Sequence, residues 1–186
     1  MSKRPVVLVV MDGVEISDYE FGNAVKKAYK PTLDNLWEKS PHTEIKAHGL
    51  AVGLPTDDDM GNSEVGHNAL GCGQIYSQGA KLVNENIETG EIFKTETWSG
   101  LVNNCKDGKM HFLGLLSDGN VHSHINHLKA LIKKAKEDGV KEVRVHALLD
   151  GRDVPETSAL TYVDDIEAYM AELNDDSFHA CIASGG

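Results

Sequence analysis

The spacing of apolar positions along the chain predicts a series of elements. From Pro5 to Met11 the run Val6-Val7-Leu8-Val9-Val10-Met11 is continuous and dominated by β-branched residues. That pattern predicts a strand buried on both faces, as in a parallel sheet, ending at Asp12-Gly13. Ala24, Val25 and Ala28, then Leu33, Leu36 and Trp37, keep a helical spacing. They predict one helix in two pieces broken at Pro31, with Trp37 as a packing residue. Thr43 to His48 reads as a short strand. Ala80 to Cys105 is weakly helical, with Gly90 and Gly100 interrupting. From Lys109 the alternation becomes regular. Met110–Leu116 reads as a strand, Ile125, Leu128, Ile132 and Ala135 as one helix face stopped at Gly139, and Val143, Val145 and Ala147 as a second strand. Pro155-Glu156-Thr157 opens a helix with Leu160, Val163, Ile166, Met170 and Leu173 inside, and Phe178–Ala183 is a third strand. Strands and helices in alternation imply parallel β-α-β units, an α/β fold.

Composition narrows the functions available. The chain has 186 residues, 40% apolar and 25% charged, ordinary for a globular protein with a real core. Its net charge of −11 argues against nucleic acid or an anionic membrane as partner. An anionic small substrate would need a local cationic pocket, and arginine occurs only at Arg4, Arg144 and Arg152. Cys72, Cys105 and Cys181 form no Cys-x-x-Cys pair, which fits reduced thiols in a cytoplasmic setting. The apolar run at the N-terminus is too short for a signal peptide or a membrane span. The sequence stops on Ser184-Gly185-Gly186, at the end of an apolar strand, so it is expected to be an N-terminal portion of a longer protein.

Candidate chemistry sits where predicted strands and helices meet. Gly61-Asn62-Ser63-Glu64-Val65-Gly66-His67 places a hydroxyl at a helix start, where free N–H groups and the helix dipole favour phosphate or a phosphoserine. Gly61 would allow close approach of a ligand to the main chain. The same residues also read as an ordinary helix cap, and they lack the Gly-x-Ser-x-Gly of a nucleophile elbow. Asp57-Asp58-Asp59 reads as a solvated loop rather than a cation site. Asp12-Gly13, Asp118-Gly119 and Asp150-Gly151 each end a predicted strand. Ends of neighbouring parallel strands lie on one edge, so groups there can converge. Asp12 offers a hard oxygen suited to magnesium or manganese, or is simply a turn aspartate. In His122-Ser123-His124-x-x-His127, one histidine is expected to be functional and the other two to cap or pack. Arg152 suits a carboxylate or phosphate and Asp153 suits a hydroxyl proton, unless the two form a local ion pair.

Several segments together resemble cofactor-independent phosphoglycerate mutase, in order and over the whole chain. They are Met11-Asp12-Gly13, Val52-Gly53-Leu54-Pro55, Met60 to His67, Leu115 to Gly119 with Val121 to His124, Leu149 to Asp153, and Ile182 to Gly186. The resemblance implies an alkaline-phosphatase-like parallel α/β domain into which a second α/β transferase domain is inserted. Residues 1–79 would be the first piece of the former and residues 80–186 the start of the latter. The implied reaction interconverts 3-phosphoglycerate and 2-phosphoglycerate, in glycolysis and gluconeogenesis, through a metal-bound phosphoserine. Two divalent ions are implied, manganese first, with magnesium, cobalt or zinc as alternatives, and no 2,3-bisphosphoglycerate. Ser63 matches the nucleophile and a metal ligand, Asp12 a ligand of the same metal, and His122, Arg152 and Asp153 substrate contacts, with Asp153 also an acid/base. Partners would be limited to the small substrate, the full-length protein a cytoplasmic monomer, and the 186-residue chain alone inactive or nearly so. Val14-Glu15 departs from the Trp-Gly found in many members. Alternatives are a metal-dependent phosphatase or phosphopentomutase of the same superfamily, or an inactive fragment.

Overall fold

The computed structural model describes residues 4–186 except 12, 15 and 78. They form two compact units, residues 1–45 and 46–186.

In the first unit, helix α1 (Ala24–Lys27) starts at Asn23, whose side chain accepts from the Lys26 N–H. Helix α2 (Pro31–Lys39) has Pro31 at its first turn, so the proline that ends one piece opens the next. Trp37 is half exposed and stacks on the His42 ring at 4.3 Å between centroids. The strand expected over Pro5–Met11 does not form. Val6 is 94% exposed, and no described part of the run belongs to a strand. A strand exists only with a hydrogen-bonding neighbour, and apolar patterning supplies none. Residues 43–48 likewise stay irregular, for the same reason.

The second unit holds helices α3 (Ser63–Cys72), α4 (Gly79–Glu88) and α5 (Glu96–Asn104), then β1 (Met110–Leu116), α6 (Ile125–Glu137), β2 (Glu142–Leu149), α7 (Ala159–Leu173) and β3 (His179–Gly185). The strands form one parallel sheet in the order β1-β2-β3, the α/β alternation that periodicity predicts. Alternate strand positions, Met110, Leu116, Val143, Val145, Ala147 and Ala180, are buried against Ile132 of α6 and Ile166 and Met170 of α7. Each buried Val, Leu, Ile or Met among them contributes about 2 kcal/mol. Tyr169 of α7 donates to the Lys129 carbonyl of α6, and Lys129 pairs with Asp165, so both helices lie on the same side of the sheet. On the other side Leu113 is 73% exposed beside His111 and His146, whose rings stack.

Boundaries shift where turns compete with helix. Gly90 has φ 74° and interrupts as expected, whereas Gly100 continues α5. Pro155 opens a turn, not the helix itself; Ser158 donates to its carbonyl and α7 begins at Ala159.

Candidate functional site

Two strand ends meet above the sheet. β1 runs into Ser117 and β2 into Asp150, neighbours because the strands pair in parallel up to Leu116 and Leu149. Both side chains are buried, and the Ser117 hydroxyl donates to Asp150 Oδ2 at 2.6 Å. The other carboxylate oxygen, Oδ1, accepts the backbone N–H of Arg152 at 2.9 Å and of Asp153 at 3.1 Å. Burial alone would raise the Asp150 carboxyl. The Ser117 hydroxyl and the N–H groups of Arg152, Asp153 and Gly151 outweigh it and hold the group below the usual carboxylate range. Asp150 is therefore an ionised anchor that fixes the loop carrying Arg152 and Asp153. Sequence reasoning places Asp150 at a strand end but misses its pairing with Ser117. The available signal is a polar residue directly after each apolar strand.

The loop after β1 presses on the same anchor. A side chain on Gly119 would stand 2.6 Å from Asp153 Cβ, so only glycine allows the two loops this approach. Farther along, His124 takes the cap of α6, its Nδ1 accepting from the Asn126 N–H at 3.1 Å. His127 is half buried and bonds Asn84 of α4 through Nε2. Burial first, and the nearby His124 second, hold its pKa below the ordinary histidine value. His122 reaches the surface and faces the cleft described next.

Ser63 opens α3 as its first residue, one place after the cap. The cap is Asn62, whose side chain accepts from the Val65 N–H at 3.0 Å. Ser63 is exposed, with Oγ 3.1 Å from His67 Nδ1. The same nitrogen lies 2.6 Å from the Ser63 carbonyl oxygen. A carbonyl only accepts, so His67 Nδ1 carries the proton and points a donor at both oxygens. His67 thus cannot take the serine proton through Nδ1; it supports negative charge on Oγ, as do the free N–H groups of the helix start. Gly61 serves a need other than a bound ligand. Its N–H donates to His48 Nδ1 at 3.0 Å, and a Cβ there would overlap the Ala47 carbonyl, so the close approach is by the chain's own backbone.

Two of the preceding aspartates turn to separate backbone partners. Asp57 accepts the Leu50 N–H at 3.2 Å. Asp59 Oδ2 accepts the Thr56 N–H at 2.7 Å and its hydroxyl at 2.9 Å.

These pieces share one cleft of about 780 Å³, lined by Ser63, Gly119, His122, Arg152 and Asp153 together with Asp58, Asp59, Glu64 and Asp118. It brings a helix-start hydroxyl, an imidazole, a guanidinium and a carboxylate from three loops to one place. Asp12 lies outside the described residues. Among the described residues no group of three or more His, Cys, Asp or Glu side chains stands together to hold a metal ion. Of the two expected ligands, Ser63 alone lies among the described residues, where its exposed hydroxyl is an oxygen donor of the kind hard divalent ions take. Among them no helix is long and apolar enough to cross a membrane.

Comparison with known proteins agrees with this architecture. Residues 83–185 match the family model described as BPG-independent PGAM N-terminus. The chain is 51% identical over 187 positions to a probable 2,3-bisphosphoglycerate-independent phosphoglycerate mutase of Leptospira interrogans, covering 98% of this chain and 34% of that protein. It is 52% identical over 175 positions to the 2,3-bisphosphoglycerate-independent phosphoglycerate mutase of Clostridium novyi, covering 93% of this chain and 34% of that protein. A crystal structure of Leishmania mexicana phosphoglycerate mutase at low cobalt concentration superposes with a TM-score of 0.78 at 48% identity, over 84% of this chain and 29% of that one. The chain spans about a third of the length of these curated relatives. With this family model matched over more than half its length, and relatives at about 50% identity, the chain belongs to the 2,3-bisphosphoglycerate-independent phosphoglycerate mutase family.

Proposed function

We propose that the chain supplies the nucleophile and the glycerate-holding side of a phosphoglycerate mutase that interconverts 3-phosphoglycerate and 2-phosphoglycerate without 2,3-bisphosphoglycerate. The observation that carries the reading is the single cleft shared by Ser63, His122, Arg152 and Asp153. In the forward direction the exposed Ser63 hydroxyl gives its proton to solvent, and Oγ forms a bond to phosphorus as the bond from phosphorus to the 3-hydroxyl oxygen breaks. Asp153 returns a proton to that oxygen. Glycerate turns in the cleft, held by Arg152 at its carboxylate and by His122. Asp153 then takes the proton of the 2-hydroxyl as that oxygen attacks the phosphoserine, and the bond from phosphorus to Ser63 Oγ breaks as Oγ regains a proton from solvent.

The local fields suit this sequence of events. Free N–H groups at the start of α3 and the His67 N–H favour the phosphoserine over the free hydroxyl. The Asp150 anchor holds Arg152 and Asp153 by their backbones, which leaves both side chains for the substrate. A serine hydroxyl is weakly nucleophilic at neutral pH, and two divalent ions, manganese in the first place, would activate it and neutralise the phosphoryl oxygens. Asp12 and Ser63 would hold one of them. The cleft lining carries several carboxylates against Arg152, so an anionic substrate needs that added positive charge. A two-metal centre needs more donors than Asp12 and Ser63, so the chain by itself is inactive or nearly so. In this reading residues 1–79 belong to the metal-binding domain and residues 80–186 to the inserted transferase domain of a cytoplasmic, monomeric enzyme of glycolysis.

The test combines this chain with the C-terminal two thirds of a relative such as that of Clostridium novyi, in manganese. Conversion of 3-phosphoglycerate is followed by a coupled assay. Activity that requires both parts and disappears in Ser63→Ala supports the reading; equal activity in Ser63→Ala overturns it.

A further inference from the structure

Ser63 rides on a small unit whose own core is Val52, Leu54 and Val65, separate from the large core of sheet and helices. Three apolar side chains fix little about where that unit points. A polar contact joins it to the β1 edge: Asn120 Nδ2 donates to Asp59 Oδ1 at 2.8 Å, across 61 positions of sequence. Asp59 lies four residues before Ser63 and is locked into its loop. Its second carboxylate oxygen takes both Thr56 donors, and its carbonyl accepts the Gly49 N–H at 3.1 Å. Whatever holds Asp59 therefore holds the loop leading to Ser63.

Asn120 is placed for this contact at a cost to itself. It has φ 59°, the positive-φ residue other than glycine among those described, and its N–H donates to the Ser123 carbonyl at 3.1 Å. Asparagine tolerates that region better than most side chains. Its Oδ1 is buried with no hydrogen-bond partner among the described residues, so the amide's gain comes from the Nδ2 side. Turning the amide over would set oxygen against the Asp59 carboxylate.

We propose that the Asn120–Asp59 clasp positions Ser63 over the cradle of His122, Arg152 and Asp153, which makes Asn120 a positioning residue for phosphoryl transfer. The proposal rests on the reading of that cleft as the phosphoglycerate site. Charged groups around Asp59 belong to the same arrangement: His124 at the start of α6 acts on it, and Asp118 and Glu88 line the neighbouring cleft with Asp59 and Asn120.

The experiment is metal-free amide hydrogen exchange on the whole chain as wild type, Asn120→Gly and Asn120→Asp, with a second set of wild type and Asn120→Gly in manganese, each with and without 3-phosphoglycerate. Glycine accepts the positive φ and removes the whole Asn120 side chain, which is not part of the sheet core. We expect exchange at residues 59–66 to quicken about tenfold in Asn120→Gly, with the core strands unchanged. Asn120→Asp sets two carboxylates against each other at pH 7 and should exceed Asn120→Gly there. In acid, where the pair of carboxylates shares a proton, Asn120→Asp should be slower than Asn120→Gly at matched pH. The proposal is overturned if Asn120→Gly exchanges like wild type over residues 59–66, or if Asn120→Asp follows Asn120→Gly at both pH values. Protection of residues 61–66 and 119–123 by 3-phosphoglycerate should weaken in Asn120→Gly. If 3-phosphoglycerate leaves the wild type unchanged, the reading of the cleft fails, while the contrast between wild type and Asn120→Gly still decides whether the clasp holds the loop.

Discussion

Replacing Ser117 by alanine tests whether the strand-end anchor is held by charge. Ser117 is 0% and Asp150 5% exposed, so no water takes over when the hydroxyl is removed. The main loss is a 2.6 Å hydrogen bond to an ionised acceptor, worth about 1.5–3 kcal/mol, beside a long 3.4 Å bond accepted from the Gly119 N–H. The void is that of one oxygen and adds little. The expected loss is therefore about 2 kcal/mol, or about 1 M in urea midpoint at an m-value of about 2 kcal/mol/M. Urea titrations followed by circular dichroism and by the fluorescence of buried Trp98 would measure it. The pH dependence carries the sharper test. Asp150 has its folded pKa depressed, so its stabilisation is fully present above its unfolded value of about 3.9. It is lost as pH falls through the lower folded value. The deficit of Ser117→Ala should hold steady from about pH 7 to 5 and shrink below about pH 4. A deficit under about 0.5 kcal/mol, or one that does not shrink in acid, would refute the argument that the serine stabilises a carboxylate.

Three further outcomes are expected. Gly119→Ala puts a Cβ 2.6 Å from Asp153 Cβ and 3.2 Å from its carbonyl carbon; it should cost about 1–3 kcal/mol and shift the Asp153 amide resonance, and an unshifted resonance would show that the loops do not touch. Burial, then His124, depress the His127 pKa, so the unfolded chain binds a proton that the fold does not; stability should fall as pH drops through about 6.5, and the slope should flatten in His127→Gln. Asp138 accepts from the Trp98 indole at 2.7 Å and pairs with Lys134; in a Trp37→Phe background, Asp138→Ala should cost about 1 kcal/mol and shift the Trp98 emission to the red, whereas an unmoved spectrum would place the indole's support elsewhere.

What the sequence determined on its own is local. Periodicity located β1, α6 and β2 because their apolar positions meet partners supplied by neighbouring strands and helices in sequence, Ile132 and Ile166 sharing one buried core with Val143 and Val145. Asn62 and Ser63 marked a helix start because a side-chain cap acts across three residues. The motifs around Ser63, His122 and Arg152 named a family because their residue types are rarely found together in that order. Tertiary structure decided the rest. Val6 to Met11 has strand composition without strand structure, since a ladder partner is a property of the fold and not of the segment. The Ser117–Asp150 anchor depends on two strands lying side by side, 33 positions apart in sequence, and the Asn120–Asp59 clasp on a loop folding back across 61. Neither spacing carries a periodic signal. Hydrogen bonds between distant residues leave no trace in hydrophobic pattern, because they are selected by where the backbone brings polar atoms within 3 Å of one another out of water.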